Sequence, residues 1–247
     1  MIAMRTRDIH LMSLDEVPYG QALALQLQLR AQLQAMPEGQ GPLGYVLCLE
    51  HPSTITLGKR GKVEDVLGRH LMQHNGVSLF QIDRGGEATA HEPGQLVIYP
   101  ILRLSEVGMG VVDLIRGMAG CLASTLEHWG IDARYNAEAP GLWTNHDGVE
   151  TKIASVGMRV SRGVSTHGAA INLTNTMASF QYIVACGMPE APMKSVRQLL
   201  SDTSQPLSRQ AFQERFLASF AQLLDAHWVP QRPNLPAREQ WVEPMDL

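Results

Sequence analysis

Apolar positions along the chain recur in two rhythms, one near 3.6 residues and one near 2, and the rhythm changes several times between the ends. Residues 17–35 set Leu23, Leu25, Leu27, Leu29 and Leu33 among Gln and Ala. The local alternation imitates a strand. Ala, Leu, Gln and Arg nevertheless favour helix, and the run is too long for an ordinary strand, so a helix is predicted with Pro18 in its first turn. From 111 onward, Val111, Ile115, Met118, Leu122, Leu126 and Trp129 follow spacings of three and four, an amphipathic helix stopped at Gly130. A last helix is predicted over about 208–227, with Phe212, Phe216, Phe220 and Leu224 on one face, and residues 64–74 also read as helix. Strands are predicted at 44–50 (ended by His51-Pro52), 54–58, 77–82, 96–101, 141–144, 152–160 and 168–173, with 145–148 and 161–163 as turns. Residues 230–247 hold four of the 14 Pro with little periodicity and are expected to lie irregularly over the surface. With no repeat and no linker, the pattern predicts one α/β domain over 1–247, with a core spanning about 43–225.

Composition narrows the function classes. At 45% hydrophobic and 18% charged the chain reads as an ordinary globular protein, and a net charge of −4 argues against a general nucleic-acid binder. Three widely spaced cysteines, Cys48, Cys121 and Cys186, do not form a disulfide framework and point to a reducing compartment. No apolar run approaches the roughly 18 residues of a membrane span. Residues 1–8 are too polar for a signal peptide, so a cytoplasmic location and no membrane partner are expected.

Candidate chemistry concentrates at three places. The first is Arg84-Gly85-Gly86-Glu87-Ala88-Thr89-Ala90-His91-Glu92-Pro93-Gly94-Gln95, a polar, Gly-rich stretch between two apolar runs. It is longer than a hairpin needs, and its glycines let backbone approach a ligand closely, so it reads as a binding loop. The second is Cys186, at the end of an apolar run and followed by Gly187; by position it fits a reactive thiol and a structural one equally. Cys48 and Cys121 sit inside apolar periodic segments and read as small buried hydrophobes. The third is Lys152, just past a Gly/Asp turn at the start of an apolar strand, where it either reaches solvent or is held beside a site. A thiol of ordinary pKa is mostly protonated at neutral pH, and a nearby ammonium would stabilise its thiolate and shuttle a proton. His91 and His167 are further proton-handling candidates. The chain has no C-x-x-C pair, Walker loop or G-x-S-x-G elbow, so neither a metal nor a bound nucleotide is expected.

Taken in order, these segments resemble the lipoyl(octanoyl) transferases. The resemblance runs through His51-Pro52 with Thr56-Leu57-Gly58, the stretch Arg84 to Gln95, and Ala139-Pro140-Gly141-Leu142-Trp143. It continues with Lys152-Ile153-Ala154-Ser155-Val156-Gly157-Met158-Arg159, Ser165-Thr166-His167-Gly168-Ala169-Ala170-Ile171-Asn172-Leu173 and Cys186-Gly187, covering roughly 45–190. It implies the mixed sheet flanked by helices of the biotin and lipoate protein ligase catalytic domains. The reaction it implies moves an octanoyl group from the phosphopantetheine thioester of acyl carrier protein to a lysine of lipoyl domains. Those domains would belong to 2-oxoacid dehydrogenase complexes and glycine-cleavage H-type proteins. No ATP or metal is implied. The family's thioester nucleophile falls on Cys186 and its partner lysine on Lys152, expected at hydrogen-bond distance. Its acyl-binding segments fall on Arg84, Gly85, Gly86, Glu87, Ala88, Thr89, Ala90 and His91, on Ser155, Val156 and Gly157, and on Gly168, Ala169 and Ala170, with His167 as an auxiliary residue.

The small side chains at 85, 86, 88, 154, 169 and 170 are expected to leave an acyl tunnel open. Backbone N–H groups near Gly157 or Gly168 would serve as oxyanion donors. An acidic carrier would meet a basic rim at Lys59-Arg60-Gly61-Lys62 with Arg69. Two positions depart from the family pattern: Glu92 replaces a Gly, and Ala185 replaces a Pro. A Glu takes a left-handed backbone only at a cost, so either the loop tip differs or Glu92 faces outward. An ATP-dependent ligase of the same fold is the alternative, and it would not need Cys186.

Overall fold

A computed structural model describes residues 6–183, 192–200 and 206–245. In chain order the elements are β1 Asp8–Glu16, α1 Tyr19–Ala35, β2 Gly44–Glu50, β3 Thr54–Leu57, α2 Arg69–His74, β4 Ser78–Gln81, β5 Ala88–His91 and β6 Gln95–Leu102. They continue with α3 Leu104–Val107, α4 Val111–Glu127, β7 Arg134–Asn136, β8 Gly141–His146, β9 Val149–Ser161, β10 Val164–Asn172, α5 Val196–Leu199, α6 Arg209–Leu224 and β11 His227–Pro230. Eight strands form one mixed sheet in the order β11-β1-β2-β6-β10-β9-β8-β7, parallel among the first three and antiparallel beyond. A three-stranded sheet, β4-β3-β5, stands beside it.

The period-2 pattern sorts side chains onto the two faces of the large sheet. Val46 and Cys48 of β2 and Leu96 and Ile98 of β6 join the cluster under α4 and α6, whereas Tyr45, Leu47, Val97, Tyr99 and Ile101 join Ala22, Leu25, Leu29 and Leu33 of α1. Residues 19–35 are thus helical, as the propensities predict, because positions three and four apart meet the sheet, and Pro18 stands just before the first turn rather than in it. In α4 the buried face is Leu114, Met118, Ala119, Cys121, Leu122, Thr125 and Leu126, while Val111, assigned to that face from sequence, is 37% exposed. Gly130 follows with φ +72°, and Phe212, Phe216, Phe220 and Leu224 of α6 are buried.

Several expectations need correction. Residues 64–74 are not one helix: Val66 bridges to Ile183, Gly68 turns with φ +58°, and only Arg69–His74 is α-helical. The stretch 84–95 is not loop throughout, because Ala88–His91 pairs antiparallel with β3. The last helix stops at Leu224, where Asp225 takes φ +46°, and His227–Pro230 becomes a strand parallel to β1. Strands β1, β7 and β11 carry no local pattern strong enough to predict them. The remaining tail is irregular apart from a short 3-10 turn, and it packs against α1 and β4 through Val242 N–H to Gly20 O and Met245 N–H to Leu79 O.

Candidate functional site

A cavity of about 70 Å³, open to solvent, lies between the large sheet and the stretch preceding β5. Its walls include Lys152, Ser155, Val156 and Gly157 from β9, and His167, Gly168, Ala169 and Ala170 from β10. Arg84, Gly85, Gly86, Glu87, Ala88, Thr89 and His91 close another side. The structure therefore gathers nearly all the residues singled out from sequence. Ala90 is the exception, packed with Ile55, Leu57 and Leu79 in a separate apolar cluster. Ala154 also faces elsewhere, into the core under α4. Cys186 and Ala185 lie outside the described residues.

Lys152 is 1% exposed, among the largest fully buried side chains. Its orientation comes from a break in the strand alternation. The β8–β9 register shifts between Leu142, opposite Ala154, and Trp143, opposite Lys152, so consecutive Ile153 and Ala154 both enter the same core. A bulge of this kind re-aims the neighbouring side chain, here into the cavity wall. Lys152 crosses directly over Gly141, where a Cβ would lie 2.4 Å from its Cε, and its Nζ sits 5.7 Å from the Trp143 ring centre. The Lys152 backbone donates to Pro192 O at 2.9 Å and accepts from Lys194 N at 3.1 Å. The segment 192–194 is thereby fixed beside it.

The Gly-rich wall is held by close backbone contacts. Gly85 N–H donates to Met158 O at 3.2 Å, and a Cβ on Gly157 would come within 2.9 Å of Gly85 O. The Arg84 guanidinium folds back, donating to Thr56 O and Oγ1 at 2.9 Å and to Gly85 O at 3.0 Å. Ser155 Oγ and Thr89 Oγ1 meet across the cavity at 3.3 Å. Gly157 and Gly168 are register partners, and a Cβ on Gly168 would lie 2.1 Å from Ile98 O. Of the expected basic rim, Arg60 lines the cavity and pairs with Glu87 at 3.8 Å.

Three buried histidines have tautomers fixed by their partners. Gln95 donates through Nε2 to Ala90 O and Asn172 Oδ1, so its Oε1 accepts from His91 Nδ1 at 2.7 Å. His51 donates through Nδ1 to Val17 O and accepts from the Tyr99 hydroxyl at Nε2. Burial pushes His51 down to about 4, and it holds His91 well below the ordinary histidine value. His167, at φ +59° within β10 rather than at its start, donates from Nε2 to Asp83 at 3.1 Å. Burial lowers its pKa, with Asp83 opposing the shift.

Glu92 contradicts the outward-facing alternative. It is 3% exposed and not left-handed, and its carboxylate accepts from Asn175 Nδ2 at 3.0 Å, Met177 N at 2.5 Å and Ser179 N at 2.7 Å. Cys48 and Cys121 are buried in the main core, as expected. Burial pushes the Cys48 thiol up to about 12 and raises that of Cys121, so neither supplies a thiolate at neutral pH.

The model of the lipoyl protein ligase A/B catalytic domain family matches residues 18–221. The chain belongs to this family. Among lipoyl protein ligase A/B relatives, an octanoyltransferase of Solibacter usitatus is 36% identical over 91% of this chain and 96% of its own length. One of Syntrophobacter fumaroxidans is 37% identical over 78% and 82% respectively. Solved structures share the fold at low identity. A lipoate-protein ligase A bound with ATP superposes with a TM-score of 0.73 at 16% identity over 94% of this chain and 91% of that one. A putative lipoate protein ligase of Thermoplasma acidophilum with bound lipoic acid gives 0.71 at 14%, over 94% and 91%.

Sequence reasoning did not single out Tyr19 and Tyr99, which line the cavity, or Asp83, which pairs with the cavity-lining His167. Asp83 carried the one available signal, an acidic residue immediately before the Gly-rich stretch. Tyr19 and Tyr99 sit in segments whose periodicity reports only burial. Among the described residues no three His, Cys, Asp or Glu side chains converge as a metal site, and the exposed pair His70 and His74 on α2 gains no third member. No helix among them is long and apolar enough to cross a membrane.

Proposed function

We propose that this chain is an octanoyltransferase of protein lipoylation. It takes an octanoyl group from the phosphopantetheine thioester of acyl carrier protein, holds it as a thioester on Cys186, and delivers it to a lysine of a lipoyl domain. The observation that carries the reading is Lys152, a buried ammonium in the wall of a cavity lined by small residues, in a chain whose relatives are octanoyltransferases over most of their length. The burial of Cys48 and Cys121 leaves Cys186 as the remaining thiol of the sequence. The backbone ties from Lys152 to Pro192 and Lys194, six and eight residues beyond Cys186, support a nucleophile near that ammonium.

The chemistry divides into two half-reactions. Cys186 thiolate attacks the donor carbonyl, the carbonyl–sulfur bond to phosphopantetheine breaks, and the departing thiolate takes a proton from Lys152. The acceptor lysine amine then attacks the Cys186 thioester, the neutral Lys152 takes the proton that this amine loses, and the carbonyl–sulfur bond to Cys186 breaks, which leaves the amide and restores the Cys186 thiolate beside the Lys152 ammonium. The seven carbons past the octanoyl carbonyl contribute about 5 kcal/mol of gross burial energy in an apolar channel. Gly85, Gly86, Ala88, Ala169 and Ala170 leave room for that chain.

Intact-mass analysis after mixing the protein with octanoyl-acyl carrier protein, without ATP, tests the reading, with Cys186→Ser alongside. The expected result is an octanoyl adduct on the unsubstituted protein only. Hydroxylamine should remove it, and an added apo lipoyl domain should accept it. Modification of the lipoyl domain only when ATP and free octanoate are supplied would instead establish a ligase.

A further inference from the structure

We propose that Glu92 is a positioning residue for the nucleophile: its buried carboxylate fastens the stretch that leads to Cys186 onto the wall of the acyl cavity. The role rests on the reading of Cys186 given above.

Three donors converge on this one side chain, Asn175 Nδ2 and the backbone N–H groups of Met177 and Ser179. A carboxylate suits them because both oxygens only accept, with lone pairs to spare; an amide in its place would turn an NH2 toward one of the donors. Glu92, Asn175 and Ser179 are each 3% exposed, so these groups have no ready substitute in water. The same turn grips the stretch twice more. Thr174 N–H donates to Gly94 O at 3.0 Å, and Gly94, at φ +87°, lies so close that a Cβ would come within 2.8 Å of Asn175 N. Gln95 Nε2 donates to Asn172 Oδ1 at 2.8 Å while its Oε1 holds His91, a cavity wall.

Residues 91–95 therefore hold the cavity-lining His91 and anchor 172–179 through one hydrogen-bonded unit. The anchored stretch continues through a 3-10 turn, Ala178–Tyr182, to Ile183, which bridges to Val66. Ser179 precedes Cys186 by seven residues. A tether seven residues before the nucleophile, made beside the cavity-lining His91, bears on how the chain enters Cys186 rather than on substrate affinity.

The test compares Glu92→Gln with the unsubstituted protein in single-turnover acylation by octanoyl-acyl carrier protein, in steady state, and by amide hydrogen exchange. The expected result is acylation slowed at least tenfold with KM for the carrier within twofold. Exchange at Met177 and Ser179 should speed up while β9 and β10 stay protected. Acylation at the unsubstituted rate, a change confined to KM, or exchange rising throughout the molecule would overturn the role. If Glu92→Gln does not fold, Asn175→Ala removes one of the three donors and should slow acylation with the same split; an unchanged rate there refutes the proposal. No adduct on the unsubstituted protein would sink the functional reading and this role with it. An adduct forming at full rate in Glu92→Gln would sink the role alone.

Discussion

Substituting Gly141 by Ala isolates the packing that holds Lys152 in place. A Cβ at this position would lie 2.2 Å from Ala154 O and 2.4 Å from Lys152 Cε. The first neighbour is backbone of the adjacent strand, so it cannot swing aside; β8 and β9 must part by about 1 Å to reach an ordinary contact. Overpacking of this kind costs about 1–3 kcal/mol, which for a chain of this size lowers Tm by about 5 °C. The second neighbour is the stem of the proposed proton carrier, and displacing a reacting group by about 1 Å is worth about a hundredfold in rate. Thermal unfolding and octanoyl transfer, both measured for Gly141→Ala well below its Tm, separate the two effects. Gly120→Ala is the control: it lies exposed within α4 with no atom within 4 Å of the added carbon, and it should stabilise by about 0.5–1 kcal/mol with transfer unchanged. Unaltered Tm and transfer in Gly141→Ala would refute the reasoning, since Lys152 would then not depend on the space above Gly141.

Replacing Lys152 by Met keeps the buried stem and removes the charge, so Tm should stay within a few degrees while octanoyl transfer falls at least about a hundredfold; a rate within tenfold of the unsubstituted protein would remove Lys152 from the chemistry. Acid should destabilise the fold through its buried histidines. The unfolded chain binds a proton at His51 below about pH 6.5 that the folded chain refuses until about 4, so stability falls as pH drops through that window, by about 3 kcal/mol from His51 alone. His91 and His167 are depressed too and act in the same direction; urea midpoints at pH 7 and pH 5 that coincide would contradict this. Phe216→Ala empties a fully buried position stacked 5.1 Å from Phe220 and should cost about 3–5 kcal/mol, read as a Tm lower by about 10 °C.

Local pattern alone determined that helices lie near 17–35, from 111 to Gly130 and near 208–227, each within about three residues of its observed ends, together with the strands of the large sheet's centre and the burial of Cys48 and Cys121. Each of these follows from side-chain periodicity and propensity, which act over a few residues and need no knowledge of what lies opposite. The ordered motifs likewise identified the family and gathered in advance most residues that line the cavity.

Tertiary structure decided the rest. Asp8–Glu16 buries few of its side chains, notably Ile9 and Met12, and it is a strand because β2 and β11 pair with it, the latter more than two hundred residues away. Ala88–His91 becomes a strand through β3. Lys152 points into the cavity wall because a register shift against β8 breaks the alternation that its own strand suggests. Glu92 turns inward because three donors from 175–179 meet it there, a convergence that no local rule anticipates. Such long-range pairing and polar satisfaction depend on which distant residues the fold brings together, and a carboxylate or an ammonium carries no local sign of the partner it will meet.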